Sequence, residues 1–126
     1  MFKQLMSIAG VVTALSAVPA AAHHSFAMFD ATKDVDLTGT VKEFRWTNPH
    51  AWILIMIPDA SGVPKQWAIE MGGPGAITRQ GWSPKTLKRG DRITVRIHPL
   101  RDGTPGGQYL AVTLSDGKKL GDNKPV

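Results

Sequence analysis

Residues 40–57, T-V-K-E-F-R-W-T-N-P-H-A-W-I-L-I-M-I, constrain the fold more than any other stretch. Two runs rich in β-branched and aromatic residues flank a corner made by Thr47, Asn48, Pro49 and His50. Pro49 fixes its own φ and biases Asn48 toward extended geometry, so the chain turns here between two strands. The second run, read as a strand over 50–57, is apolar on both parities, with Trp52, Leu54 and Met56 on one side and Ile53, Ile55 and Ile57 on the other. A strand of this kind needs cover on both faces, one from the core and one from an N-terminal arm or a helix.

The strand before the corner, at about 35–46, places Val35, Leu37 and Val41 on one parity and Phe44 and Trp46 on the other. A switch of parity within one strand predicts a bulge near Lys42 and Glu43, and Gly39 suits a strong bend. A long, coiled first strand can serve both halves of a small barrel.

A hairpin loop at 58–62 leads to a third strand at 65–71, with Trp67, Ile69 and Met71 on one face and Ala68 and Glu70 on the other. Gly72, Gly73, Pro74 and Gly75 then break the sheet. A short helix is predicted over 74–80, opened by Pro74 and stopped by Gly81, with a second helical turn at 83–87. The fourth strand has the cleanest alternation: Ile93, Val95 and Ile97 point in, while Arg92, Thr94, Arg96 and His98 point out. Pro99 ends it. Residues 101–107, with three glycines and a proline, read as a mobile loop. A fifth strand at 108–114 sets Leu110, Val112 and Leu114 inward.

The expected fold is all-β: a small OB-like five-stranded barrel over residues 35–120, with a short helix between strands three and four. A β-sandwich of the immunoglobulin or cupredoxin kind would need about seven strands. Residues 23–34 read as an N-terminal arm and 121–126 as a polar tail.

Residues 1–22 read as a cleaved secretory signal peptide: Lys3, an apolar stretch over 5–18, then Ala20-Ala21-Ala22 as the cleavage motif. The apolar stretch falls short of the ~20 residues that span a bilayer. Periplasmic or secreted localisation follows, with no stable membrane insertion after cleavage. Cleavage leaves 104 of the 126 residues and removes one of fifteen cations and none of ten acids, so the mature charge is +4. The absence of cysteine excludes disulfides, thiolate metal sites and thiol chemistry.

The run A-H-H-S-F, then F-D, L-T-G-T-V and W-T-N-P-H-A-W, resembles a family of exported bacterial proteins without an established activity. The later pieces W-A-I-E, G-W-S-P-K-T-L-K-R-G-D and V-T-L-S-D-G-K-K-L resemble the same family. The resemblance covers essentially the whole mature chain. It implies an exported small β-barrel and carries over no catalytic residues.

Chemistry concentrates on histidine. Cleavage after Ala22 would make His23 the amino terminus, whose amine and imidazole can chelate one metal together. One more imidazole would complete the three-nitrogen set that Cu(II) accepts in tetragonal geometry. His24 offers a second geometry through its amide and ring. His50, at the corner, is the candidate for the added imidazole. Glu70 and Asp30 could add an oxygen, and Met28, Met56 and Met71 are soft donors. His98 is weaker, because it lies beside Arg96 on the polar face of strand four. The metal set is therefore His23, His24 and His50, with a copper ion as cofactor, in a carrier or sensor rather than an enzyme. A small copper oxidase ranks last, since no substrate cleft is visible. The structural alternative is a plain chain end at His23 and His24, and a turn-capping histidine at position 50.

The other reading is a metal-free binding module. Trp46 and Trp52, with Arg45 and Arg96, would form a basic aromatic face for an anionic or glycan ligand. Against it, tryptophans also fill small cores. Export argues against a nucleic-acid partner. The glycine run before the helix lacks the Lys-Ser/Thr ending of a phosphate loop. No Ser/His/Asp set or carboxylate pair has supporting context.

Overall fold

The computed structural model describes residues 26–121. The expected signal peptide at 1–22, His23, His24 and residues 122–126 of the expected polar tail lie outside them. A 3-10 turn, Phe26–Met28, precedes six strands and one helix. These are β1 (Val35–Arg45), β2 (Trp52–Pro58), β3 (Pro64–Glu70), α1 (Pro74–Thr78), β4 (Arg92–Pro99), β5 (Gly106–Thr113) and β6 (Lys119–Gly121). No helix among the described residues is long and apolar enough to cross a membrane.

The strand order is β3-β2-β1-β4-β5-β6, and a parallel pairing of β3 with β5 closes the first five strands into a barrel. β1 makes the closure possible. Its first half pairs with β4, from Val35↔Ile97 to Thr40↔Arg92, and its second half with β2, from Thr40↔Met56 to Arg45↔Trp52. The handover requires a sharp coil at Gly39, where a β-carbon would collide with the Met56 carbonyl oxygen. The register then slips between Val41 and Glu43, leaving Lys42 as the extra residue. This bulge carries Val41 inward before it and Phe44 and Trp46 inward after it, as the parity switch predicts.

The interior is apolar. Val41, Ile53, Ile55, Ile69, Ile93, Val95, Ile97 and Val112 come from five strands, and Ile77, Trp82 and Leu87 pack into the same cluster from the segment between β3 and β4. Burial at about 25 cal/mol per Å² of apolar surface is the main force holding the barrel.

Four local expectations are corrected. The β2 ladder begins at Trp52, not His50, because residues 46–51 form the corner. Residues 83–87 make a turn rather than a helical turn: the Thr86 hydroxyl accepts the Ser83 amide at 2.8 Å, and such local side-chain bonds compete with helix. Gly106 and Gly107 are buried and belong to β5, so the preceding loop is shorter than 101–107. Leu110 does not point inward. Arg96 pairs with Ala111 and Ile97 with Tyr109, so Leu110 is the extra residue of a second bulge and Tyr109 takes the core position.

Candidate functional site

The outer face of β2 and β3 is covered by the arm. Phe29 is 5 % exposed and bridges to Leu100, while Phe26 is 71 % exposed. Backbone bonds strap the arm to the β4–β5 loop: Asp30 N–H donates to Pro99 O at 2.8 Å, and Arg101 N–H to Met28 O at 2.9 Å. The Arg101 guanidinium adds a bond to Ala27 O at 2.9 Å.

Beneath the arm runs a row of cross-strand neighbours. Trp52 of β2 pairs with Glu70 of β3, Glu70 with Gln108 of β5, and Gln108 with His98 of β4. Glu70 is a carboxylate on the side away from the core, yet only 7 % exposed, because the arm closes over it. A buried acid beneath an apolar arm is the least expected polar group in the molecule.

His50 meets Glu70 from the corner. The β2–β3 ladder continues past its ends through Ala51 N–H to Gly72 O at 3.1 Å and Met71 N–H to Ala51 O at 2.9 Å. This brings the His50 ring over the end of β3. Its Nδ1 lies 2.9 Å from Met71 O and 3.7 Å from Glu70 Oε1. A carbonyl only accepts, so Nδ1 carries a proton, which in the neutral ring places the lone pair on Nε2. The Thr47 hydroxyl donates to His50 O at 2.7 Å and fixes the corner from behind. A metal-ligating histidine commonly uses one ring nitrogen in this way, with its N–H on a carbonyl or carboxylate.

His50 and Glu70 share a cavity of about 170 Å³ with Phe26, Phe29, Gln108 and Tyr109. A smaller cavity of about 130 Å³ lies on the other side of Phe29 and Glu70, against Met28 and Trp52. Among the described residues, no three His, Asp or Glu side chains gather.

The remaining expected residues are dispersed. The Asp30 carboxylate accepts from the Thr32 hydroxyl at 2.6 Å and the Thr32 amide at 3.1 Å, and these bonds hold its pKa below the usual value. His98 Nδ1 lies 2.9 Å from Lys33 O and 3.2 Å from Asp34 Oδ1, so it ties the end of the arm to β4. Trp46 packs edge-on against Phe44 at 5.9 Å, Trp82 packs between Phe44 and Tyr109, and Trp67 leans on the core. Trp52 alone of the four is on the outer row, opposite Arg45 of β1, whose guanidinium grips Glu43 at 3.0 and 3.2 Å. Arg96 is elsewhere. It forms a fork with Asp36, nine residues before Arg45 and so roughly 30 Å away along β1 at about 3.3 Å per residue. Tyr109 was not a candidate from the sequence, because the β5 bulge that brings it to the cavity has no local signal.

A closed barrel of five strands with β1 shared by two partners, and a short helix between β3 and β4, is an OB fold. Over residues 9–109 the sequence matches a family of unknown function (DUF6152), and the chain belongs to that family. No curated protein matches it in sequence. Among solved structures, the mitochondrial single-stranded DNA-binding protein Rim1 of S. cerevisiae is similar, with a TM-score of 0.50 and 14 % identity over 66 % of this chain and 93 % of that one. At that identity the likeness shows the fold alone.

Proposed function

We propose that the protein is a periplasmic metal carrier or sensor, with copper as its metal, whose site forms when signal-peptide cleavage makes His23 the amino terminus. The observation that carries this reading is the setting of His50: a ring held by the Met71 carbonyl, a buried carboxylate 3.7 Å away, and a cavity whose wall includes Phe26. Three peptide steps separate Phe26 from His23, a reach of about 10 Å at most. The amine and ring of His23 can therefore meet His50 Nε2 at the rim of this cavity, with the His24 amide and ring as the competing chelate. Glu70 would supply either an oxygen ligand or a carboxylate that helps orient the His50 ring. Copper(II) favours such a nitrogen-rich tetragonal set.

The test is a Cu(II) titration of protein beginning at a mass-verified His23, followed by electron paramagnetic resonance. The reading expects one tight site with nitrogen hyperfine structure, lost when a glycine precedes His23 and weakened by His50→Ala. Glu70→Gln, nearly isosteric, should weaken it roughly 10- to 100-fold, the usual effect of losing a supporting carboxylate. No site, or one indifferent to His23 and His50, overturns it.

A second reading rests on Arg45 standing opposite Trp52 on the β2–β3 face, where OB folds bind oligomers. A glycan or small anion would stack on Trp52 without metal, and Trp52→Ala would abolish that binding while leaving copper affinity intact. Nucleic acid is not proposed as the partner, since Glu70 in the same row opposes a phosphate backbone. An oligo-dT control measured by fluorescence anisotropy should stay flat.

A further inference from the structure

A further cavity, of about 550 Å³, adjoins the one of about 170 Å³, and Gly72 and Tyr109 line both. Its volume falls within the ~300–1,000 Å³ typical of small-molecule sites. Ala76 and Ile77 of α1 and Gln80 just after it form one wall. Tyr109 and Leu110 form the other. Leu110 is available there because the β5 bulge turns it out of the barrel, and bulges often serve to re-aim a side chain in this way. Gly121 of β6 closes a third side. It adopts a φ of +98°, and a β-carbon on it would lie 2.6 Å from the Tyr109 hydroxyl, so the backbone itself is that wall.

The polar chemistry of this cavity is specific. None of its described lining residues carries a charge at neutral pH. Burial pushes the Tyr109 phenol up to about 12, so it stays protonated across the physiological range. Trp82 Nε1–H donates to the Tyr109 oxygen at 3.3 Å. That bond occupies a lone pair of the phenol and leaves its proton to be given to another acceptor. The Gln80 amide supplies both a donor and an acceptor. An ion here would lose hydration and meet no counter-charge, which is strongly unfavourable.

We infer that this cavity binds an uncharged organic molecule of one or two rings, packed on Ile77 and Leu110, whose carbonyl or ring-nitrogen acceptor receives a hydrogen bond from the Tyr109 hydroxyl. The site is independent of the metal reading, because no residue proposed to ligate copper lines it.

The experiment uses EDTA-treated protein, so that failure of the copper site cannot affect it. Benzamide is titrated as a neutral acceptor probe and benzoate as its charged counterpart, with amide shifts followed by two-dimensional NMR. Benzamide should saturate and shift Gln80, Leu110 and Gly121, and benzoate should bind at least tenfold more weakly. Tyr109→Phe should weaken benzamide about 3- to 10-fold, the scale of one net hydrogen bond. Ala76→Trp, which fills the cavity from an exposed helix position, should abolish binding with the fold intact. Scattered or non-saturating shifts, equal binding of benzoate, or indifference to Ala76→Trp would each overturn the inference.

Discussion

The two faces of β2 are built from similar residues and held in different ways. Inward, Ile53 and Ile55 sit in a closed apolar cluster to which all six strands contribute. Outward, Trp52 and Leu54 face β3 partners Glu70 and Ala68, and Leu54 and Phe29 are buried outside the principal core cluster. The inner face is secured by the barrel ladders all round. The outer face at Trp52 and Glu70 is covered by a short arm on a few backbone bonds. Segments with few buried contacts open at lower free energy than the core, and sites that must admit a ligand are drawn from them. The contrast places the stable core inside and the candidate site outside.

The largest effect should come from the inner face. Ile55→Ala leaves a cavity that neighbouring strands cannot fill and should cost about 2–5 kcal/mol in urea unfolding. A loss below 1 kcal/mol would mean that the closed core is not what holds the barrel. Tyr109 gives the next effect, through pH. Its folded pKa of about 12 lies above its ordinary value of 10.0, because the buried phenolate is disfavoured. The stabilisation is therefore fully present below pH 10 and is lost as pH rises toward 12, by about 2–3 kcal/mol. Tyr109 is the single tyrosine, so ultraviolet titration of phenolate reads it directly, and Tyr109→Phe should remove that alkaline limb.

Phe29→Ala sharpens the comparison from the other side. The arm can lift instead of leaving a void, so the global cost should be about 1–2 kcal/mol, below that of a core truncation. Amide exchange at Asp30 and Arg101 should accelerate strongly while β2 stays protected. If β2 loses protection equally, the two faces unfold as one and the contrast fails. The smallest effect is at Asp36. Arg96 donates to its carboxylate and holds its pKa below the usual value. The pair's contribution is present above the ordinary Asp pKa and fades as pH falls through the lowered one. Asp36→Asn should therefore lose about 0.5–1 kcal/mol at pH 7 and almost nothing at pH 2, as suits a partly exposed pair.

Much of the barrel was legible because its signals are local. Alternation at Ile93, Val95 and Ile97 marks β4, and the parity switch between Val41 and Phe44 marks the first bulge. The β5 bulge was not legible: G-Q-Y-L-A-V-T alternates equally well with Leu110 inward, and only pairing to Arg96 and Ile97 decides that Tyr109 goes in. The site shows the same division. His50 stood out at a corner beside Pro49. Its partner Glu70 lies twenty residues on, in an ordinary strand pattern, and becomes a buried acid only because the arm crosses β3.

The sequence by itself determined the order of the five barrel strands and the place of α1 between β3 and β4, the bend and bulge of β1, the corner that carries His50, and the absence of thiol chemistry. Each follows from backbone restriction at glycine and proline, side-chain periodicity, or composition. The tertiary structure alone decided the closure of β3 on β5, the dispersal of Arg96 from Trp52, and the meeting of His50 with Glu70 beneath Phe29. Those depend on which residues, distant in the chain, share a row around the barrel, and no local pattern encodes a row.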